Sequence, residues 1–246
     1  MSRFFVPKGA VRGNKVIIDG PEAHHILDVM RLGIGDEVTA FDGTGMEYMG
    51  KIEATGKANL IVAITEARDI PLKKAMVVTL AQAIPKKDKM DYIVEKATEL
   101  GVHSIIPIQT TRSIVRLDAK KAPTRVERWR KISKEAAKQC GAQKIPVIED
   151  ISGFDDAVAR LKDYDLKLMA CLGPDAESLK DVLRANKAKS ALIFIGPEGD
   201  FTEDEIRKAS SGGARLISLG GSVLKSDTAG LAALAVINYE YDNWHK

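Results

Sequence analysis

From residue 76 to residue 237 the chain alternates short apolar runs with segments of helical period, and this alternation constrains the fold more than any other feature. Met76-Val77-Val78-Thr79-Leu80, Ser104-Ile105-Ile106-Pro107-Ile108, Lys167 to Leu172, Ala191 to Ile195 and Leu216 to Leu219 read as strands. Strands apolar on both sides are buried on both faces, and the helices between them supply the cover. Met90, Ile93, Val94, Ala97 and Leu100 fall on one helical face closed by Gly101. Thr124-x-x-Glu127 reads as a capping box opening a helix through Cys140, with Trp129, Ile132, Ala136 and Cys140 on its apolar face. Thr202-x-x-Glu205 is a second such box. Further helices are expected near 154–161, 178–186 and 203–211, and Ser226 is expected to cap a last helix running past Ala235. The expected fold class is α/β with a mostly parallel sheet.

The first seventy residues have another rhythm. Val16-Ile17-Ile18, Val38 to Phe41, Glu47 to Ile52 and Leu60 to Ile64 are short strands, divided by turns such as Asp42-Gly43-Thr44-Gly45. One helical segment, Pro21 to Leu32, interrupts them. This spacing predicts a small β-barrel. Asp69-Ile70-Pro71 reads as a linker, so two domains are expected, 1–71 and 72–246.

Several classes are excluded at this stage. There is no apolar run near twenty residues, so no transmembrane helix is expected, and the start lacks a signal peptide's apolar stretch. Cys140 and Cys171 have no metal-ligand spacing and read as small core residues of a reduced, cytoplasmic protein. No metal motif and no Ser-His-Asp or Cys-His set is apparent. His24 and His25 are adjacent and would face different ways on a helix. The net charge of +3 conceals −2 over residues 1–72, +8 over 73–150 and −3 over 151–246. The basic middle suits either a phosphate track or a solvated helical face.

Three segments follow strands, where open α/β sheets bind ligands. They are Gly173-Pro174-Asp175 after Leu172, Gly196-Pro197-Glu198-Gly199-Asp200 after Ile195, and Gly220-Gly221-Ser222-Val223-Leu224-Lys225 after Leu219. None is G-x-G-x-x-G or a P-loop, which weighs against a nicotinamide dehydrogenase. Glu198, Asp200, Glu203 and Asp204 would repel phosphate, so the second segment suits a nucleoside without phosphates. The final helix is apolar nearly all round from Ala229 to Ile237, as in a core or a subunit interface.

Six stretches, HHILDVMRL, FDGTG, EKATELGV, RVERWRKISKEAAKQ, IGPEGDFTEDE and LGGSVLKSDTAGLAAL, stand in the order seen in the ribosomal RNA small subunit methyltransferase E family of the SPOUT class. The chain resembles that family over almost its whole length. The resemblance implies a PUA-like RNA-binding barrel followed by a SPOUT methyltransferase domain with a trefoil knot. It implies a homodimer that uses S-adenosyl-L-methionine to methylate N3 of a uridine in 16S rRNA. Non-catalytic RNA or cofactor binding, and action on another base, are the other readings. The resemblance places the cofactor against Leu172, Gly173, Ile195, Gly196, Pro197, Glu198, Gly199, Leu219, Gly220, Val223, Leu224 and Thr228. It places RNA against Arg31, Arg112 and Arg116, and Asp227 and Lys225 beside the reacting base. Neither a metal nor a membrane is implied. Where the family usually carries Gly-Pro-Glu-Gly-Gly, this chain has Asp200 at the last position. Ser222, Lys225 and Asp227 stand where the family usually has Arg, Arg and Glu.

Overall fold

The computed structural model describes residues 3–69, 76–113 and 120–241. The chain divides into two compact units, residues 1–72 with Ala137–Ile145, and residues 73–136 with 146–246.

In the first unit the strands are β1 Arg3–Phe5, β2 Val11–Arg12, β3 Lys15–Asp19, β4 Glu37–Phe41, β5 Met46–Thr55 and β6 Asn59–Asp69. They form one sheet in the order β1-β4-β5-β6-β3-β2. Only β1 and β4 pair in parallel. The expected barrel is a curled sheet in the described pairing, with β1 and β2 at its edges. The curl has a local cause: β5 slips register at Met49/Gly50 and again at Ile52/Ala54, and bulges bend and twist a strand. Gly50 allows the close approach, since a Cβ there would lie 2.2 Å from the Ala63 carbonyl oxygen. The segment expected to be one helix is a short α1, Gly20–His24, running into a π-turn over His25–Val29. Phe4, Val16, Ile18, Ile26, Leu60 and Val62 fill this unit's core.

The second unit has the strands β7 Val77–Ala83, β8 Ser104–Gln109, β9 Val147–Ile148, β10 Ser152–Gly153, β11 Leu166–Ala170, β12 Glu177–Ser178, β13 Ser190–Ile195 and β14 Arg215–Ser218. Their order is β10-β8-β7-β13-β11-β14-β12, with β9 beside β8, and every described pair is parallel. The helices are α2 Lys89–Glu99, α3 Ala122–Cys140, α4 Phe154–Ala159, α5 Leu179–Arg184, α6 Glu203–Ser211 and α7 Ser226–Glu240. One core cluster joins Met90, Ile93 and Trp129 to Leu80, Ile193 and Leu234; another joins Phe154 and Leu161 to Phe194 and Phe201. The continuous apolar strands are explained by cover on both faces.

Four local expectations are corrected. The helix expected to open on Thr124 starts at Ala122, because Pro123 fits a first turn whose N–H groups have no helical partner. Thr124 therefore lies inside the helix. Ser226 is the first residue of α7, and Lys225, with φ −65° and ψ 152°, is the N-cap without a side-chain bond. Cys140 is exposed at the end of α3, and Cys171 is only partly buried, so neither is a core residue. Asp69 ends β6, and the rest of the expected linker lies outside the described residues. The Thr202/Glu205 box is present in full, with both reciprocal bonds.

Small residues set α7 on the sheet. A Cβ at Gly230 would lie 3.0 Å from Gln82 Oε1 and 3.4 Å from the Leu80 methyls. Ala229, Ala233, Leu234 and Ile237 are buried, whereas Val236 and Tyr239 face outward.

Candidate active site

The carboxyl ends of β11, β13 and β14 open into a cavity of about 230 Å³. Leu172, Ile195, Gly196, Pro197, Glu198, Leu219, Gly220, Val223, Leu224 and Lys225 line it, with Asp200, Ser222, Ser226 and Cys171. Gly173, Gly199, Thr228 and Asp227 are not among its walls.

Its walls are held by bonds that cross long stretches of sequence. Ser226 Oγ donates to the Gly196 carbonyl oxygen at 2.6 Å and accepts from Gln82 Nε2 at 3.0 Å, so α7 is fixed to β7 and to the turn after β13. Glu205 is buried; its Oε1 accepts from the Thr111 N–H at 2.8 Å and its Oε2 from the Thr202 N–H at 2.9 Å. Arg112 donates from Nη1 to the carbonyl oxygens of Gly199 and Phe201 at 2.8 and 3.1 Å. The guanidinium expected to face RNA is thus engaged with the turn after β13.

Asp200 is the sharpest local feature of that turn. Its φ is +58°, in the left-handed region that favours glycine. Aspartate tolerates it because its side chain bonds locally: Oδ1 accepts from the Phe201 N–H at 2.8 Å. Oδ2 accepts from the Leu172 N–H at 3.2 Å, joining the turns after β11 and β13. Gly196 lies beneath; a Cβ there would come 3.2 Å from the Phe201 ring and 3.3 Å from Asp200 Oδ1. The Cys171 thiol is pushed above its ordinary value, first by burial and then by the carboxylates of Asp200 and Asp175.

At the start of α7, Asp227 Oδ2 lies 3.6 Å from Lys89 Nζ, which is also 3.7 Å from Glu198 Oε1. Asp227 Oδ1 is buried and has no hydrogen-bond partner among the described residues. Lys225 is exposed at the N-cap. Lys89 belongs to the basic 73–150 segment that suited either a phosphate track or a solvated face, and nothing in the spacing Lys86-Lys87-Asp88-Lys89 marks out its ion pairs.

The basic residues are less available than their number implies. Arg128 binds Asp91 at 2.6 Å, and Arg130 binds Glu127 at 2.7 Å and Asp150 at 3.0 Å. Arg116 lies outside the described residues. Arg31 belongs to the first unit, where it is exposed with φ +57° after the π-turn. His24 pairs with Asp28 at 2.6 Å on the surface. Among the described residues no cluster of three or more His, Cys, Asp or Glu is arranged to hold a metal ion, and no helix is long and apolar enough to cross a membrane.

A family profile described as an RNA methyltransferase domain matches residues 72–238, and one described as an RNA methyltransferase PUA domain matches residues 18–65. The ribosomal RNA small subunit methyltransferase E of Bacillus subtilis is 36% identical over 236 residues, 91% of this chain and 89% of that protein. The chain belongs to the ribosomal RNA small subunit methyltransferase E family. The Rickettsia conorii member is 31% identical, covering 96% of this chain and 94% of its own. A crystal structure of the Neisseria gonorrhoeae member, bound to S-adenosyl methionine, matches with a TM-score of 0.88 at 29% identity, over 98% of both chains.

The cavity of this family member fits such a cofactor. Ile195, Leu219, Leu224 and Ala229 supply apolar walls for a flat base, and Gly196 leaves room that a side chain would fill. Glu198 and Asp200 give the walls negative charge, which suits a cationic, phosphate-free nucleoside.

Proposed function

We propose that the protein transfers the methyl group of S-adenosyl-L-methionine to N3 of a uridine in 16S, small-subunit ribosomal RNA. The observation that supports this best is the glycine-floored, apolar cavity at the ends of β11, β13 and β14, in a chain whose relatives are named for that RNA. The bound cofactor supplies an electrophilic methyl on a sulfonium sulfur. The new bond is N3–CH3, the broken bond is S–CH3, and the N3 proton must go to a base. Asp227, at the start of α7, is our candidate for that base: among the described residues its Oδ1 is a buried acceptor without a hydrogen-bond partner, and its Oδ2 lies 3.6 Å from Lys89 Nζ. Lys225, exposed at the mouth of the same cavity, is placed to steady the substrate's phosphate or carbonyl oxygen. Gly173, Gly199 and Thr228 flank the cofactor turns rather than wall them. Arg31, Arg112 and Arg116 remain the proposed RNA contacts, with the trefoil knot, a homodimer and a cytoplasmic location as parts of the same reading.

The test is mass spectrometry of small-subunit RNA from a deletion strain. One methyl group on one uridine should be lost and restored by the purified protein with S-adenosyl-L-methionine. An unchanged methylation map sinks the proposal.

A further inference from the structure

Asp200 stands where the family usually carries glycine, and its carboxylate is fixed in the cavity wall by two donors from two turns, Phe201 N–H at 2.8 Å and Leu172 N–H at 3.2 Å. With φ at +58° the backbone aims the side chain as well. The carboxylate therefore cannot swing into solvent without giving up both bonds. Of the ionisable residues on the walls, Glu198 is partly balanced by Lys89 at 3.7 Å. Among the described residues no Lys, Arg or His nitrogen comes within 4.0 Å of Asp200, so its charge is not cancelled at contact distance. We infer that Asp200 reads the charge on the cofactor's sulfur, favouring the sulfonium cation of S-adenosyl-L-methionine over the neutral thioether left after methyl transfer.

The inference rests on the cofactor reading above and deepens it. Methyl transfer removes one positive charge from the ligand, so an uncancelled anion in a partly apolar wall holds the substrate form more tightly than the product form. The field of Asp200 is already felt by a neighbour in the same cavity, since it is one of the groups that raise the Cys171 thiol. A glycine at this position would provide the turn but neither the charge nor the two acceptors.

The experiment is titration calorimetry of the full chain with S-adenosyl-L-methionine and, separately, with S-adenosyl-L-homocysteine. The wild type, Asp200→Asn and Asp200→Gly are compared. Asparagine tolerates the same backbone and keeps one acceptor; glycine keeps the backbone and no acceptor. The wild type should prefer the sulfonium form by roughly tenfold, and Asp200→Asn should bring the ratio close to one, because loss of the charge weakens the sulfonium form beyond what both forms lose with one anchor. Asp200→Gly should weaken both ligands through loss of the two anchors, yet show the same ratio as Asp200→Asn. Equal weakening of both ligands in Asp200→Asn, or no change in either, overturns the inference and leaves the cofactor reading standing. A wild type that binds neither ligand overturns both.

Discussion

Arg112 Nη1 lies 2.8 Å from the carbonyl oxygen of Gly199, a residue 87 positions later in the chain. Together with the bond to Phe201 and the Thr111–Glu205 bond, it fastens the segment after β8 to the turn after β13. Arg112 therefore holds the turn after β13, which lines the cavity, whatever it does toward RNA. Arg112→Ala should weaken S-adenosyl-L-methionine binding about fivefold, the size expected from one partly exposed hydrogen bond of about 1 kcal/mol. Calorimetry with cofactor alone measures this. Unaltered cofactor affinity would return Arg112 to a purely RNA-facing role.

Gly196→Val should abolish cofactor binding. The added Cβ would already crowd the Phe201 ring at 3.2 Å and Asp200 Oδ1 at 3.3 Å, and the γ-methyls would enter the space proposed for the ligand. Overpacking of this kind costs roughly 1–3 kcal/mol of stability, so the fold should remain cooperative in urea. Full affinity in a folded Gly196→Val protein would remove this cavity from consideration.

Ser226→Ala should lower stability by about 1–3 kcal/mol, because it leaves the Gly196 carbonyl and the Gln82 amide without their buried partner. Gln82→Leu in the same background should cost less than the two single changes added together, since both act on one bond. Urea denaturation of the four proteins gives the coupling. Strict additivity would show that the Ser226–Gln82 bond contributes nothing.

The sheet and its helices could be read because their signals are local: period two against period 3.6, and Thr202/Glu205 as a box of two residues three apart. The cavity-lining turns stood out because each follows an apolar strand and carries glycine. The long-range partners of Ser226, Arg112 and Lys89 were not legible in the sequence for one physical reason. Each acts through a partner 30 to 144 residues away, and no local periodicity encodes such a pairing. Cys140 was placed in the core from its helical spacing, but the helix end that carries it is exposed. The curl of the first sheet depends on two register slips, which alternation of apolar residues does not reveal.

Acid should cost stability in a way that Asp165→Asn removes. Asp165 accepts from the Lys189 and Ser190 N–H groups at 2.9 and 3.0 Å, and these bonds hold its carboxyl below the ordinary value of 3.8. A lowered folded-state value means stabilisation that is complete above the unfolded value and lost as pH falls through the folded one. The gap in urea midpoint between wild type and Asp165→Asn should be widest near neutrality and shrink below about pH 4. A gap that stays constant across that range would rule out the carboxylate as its source.

Arg31 offers a way to separate RNA affinity from folding. Its φ of +57° is strained for any residue with a Cβ, and its side chain is exposed. Arg31→Gly relieves the backbone but increases the freedom of the unfolded chain, so the two effects oppose and the melting temperature should change little. Arg31→Ala keeps the strain and removes the charge. If the guanidinium meets one phosphate, both variants should weaken RNA binding to the same extent and reduce the slope of log affinity against log salt by about one. Filter binding at several salt concentrations, beside thermal melts, gives both quantities. If RNA affinity follows the melting temperature instead of the charge, Arg31 is a turn residue and the RNA path of the first unit lies on other side chains.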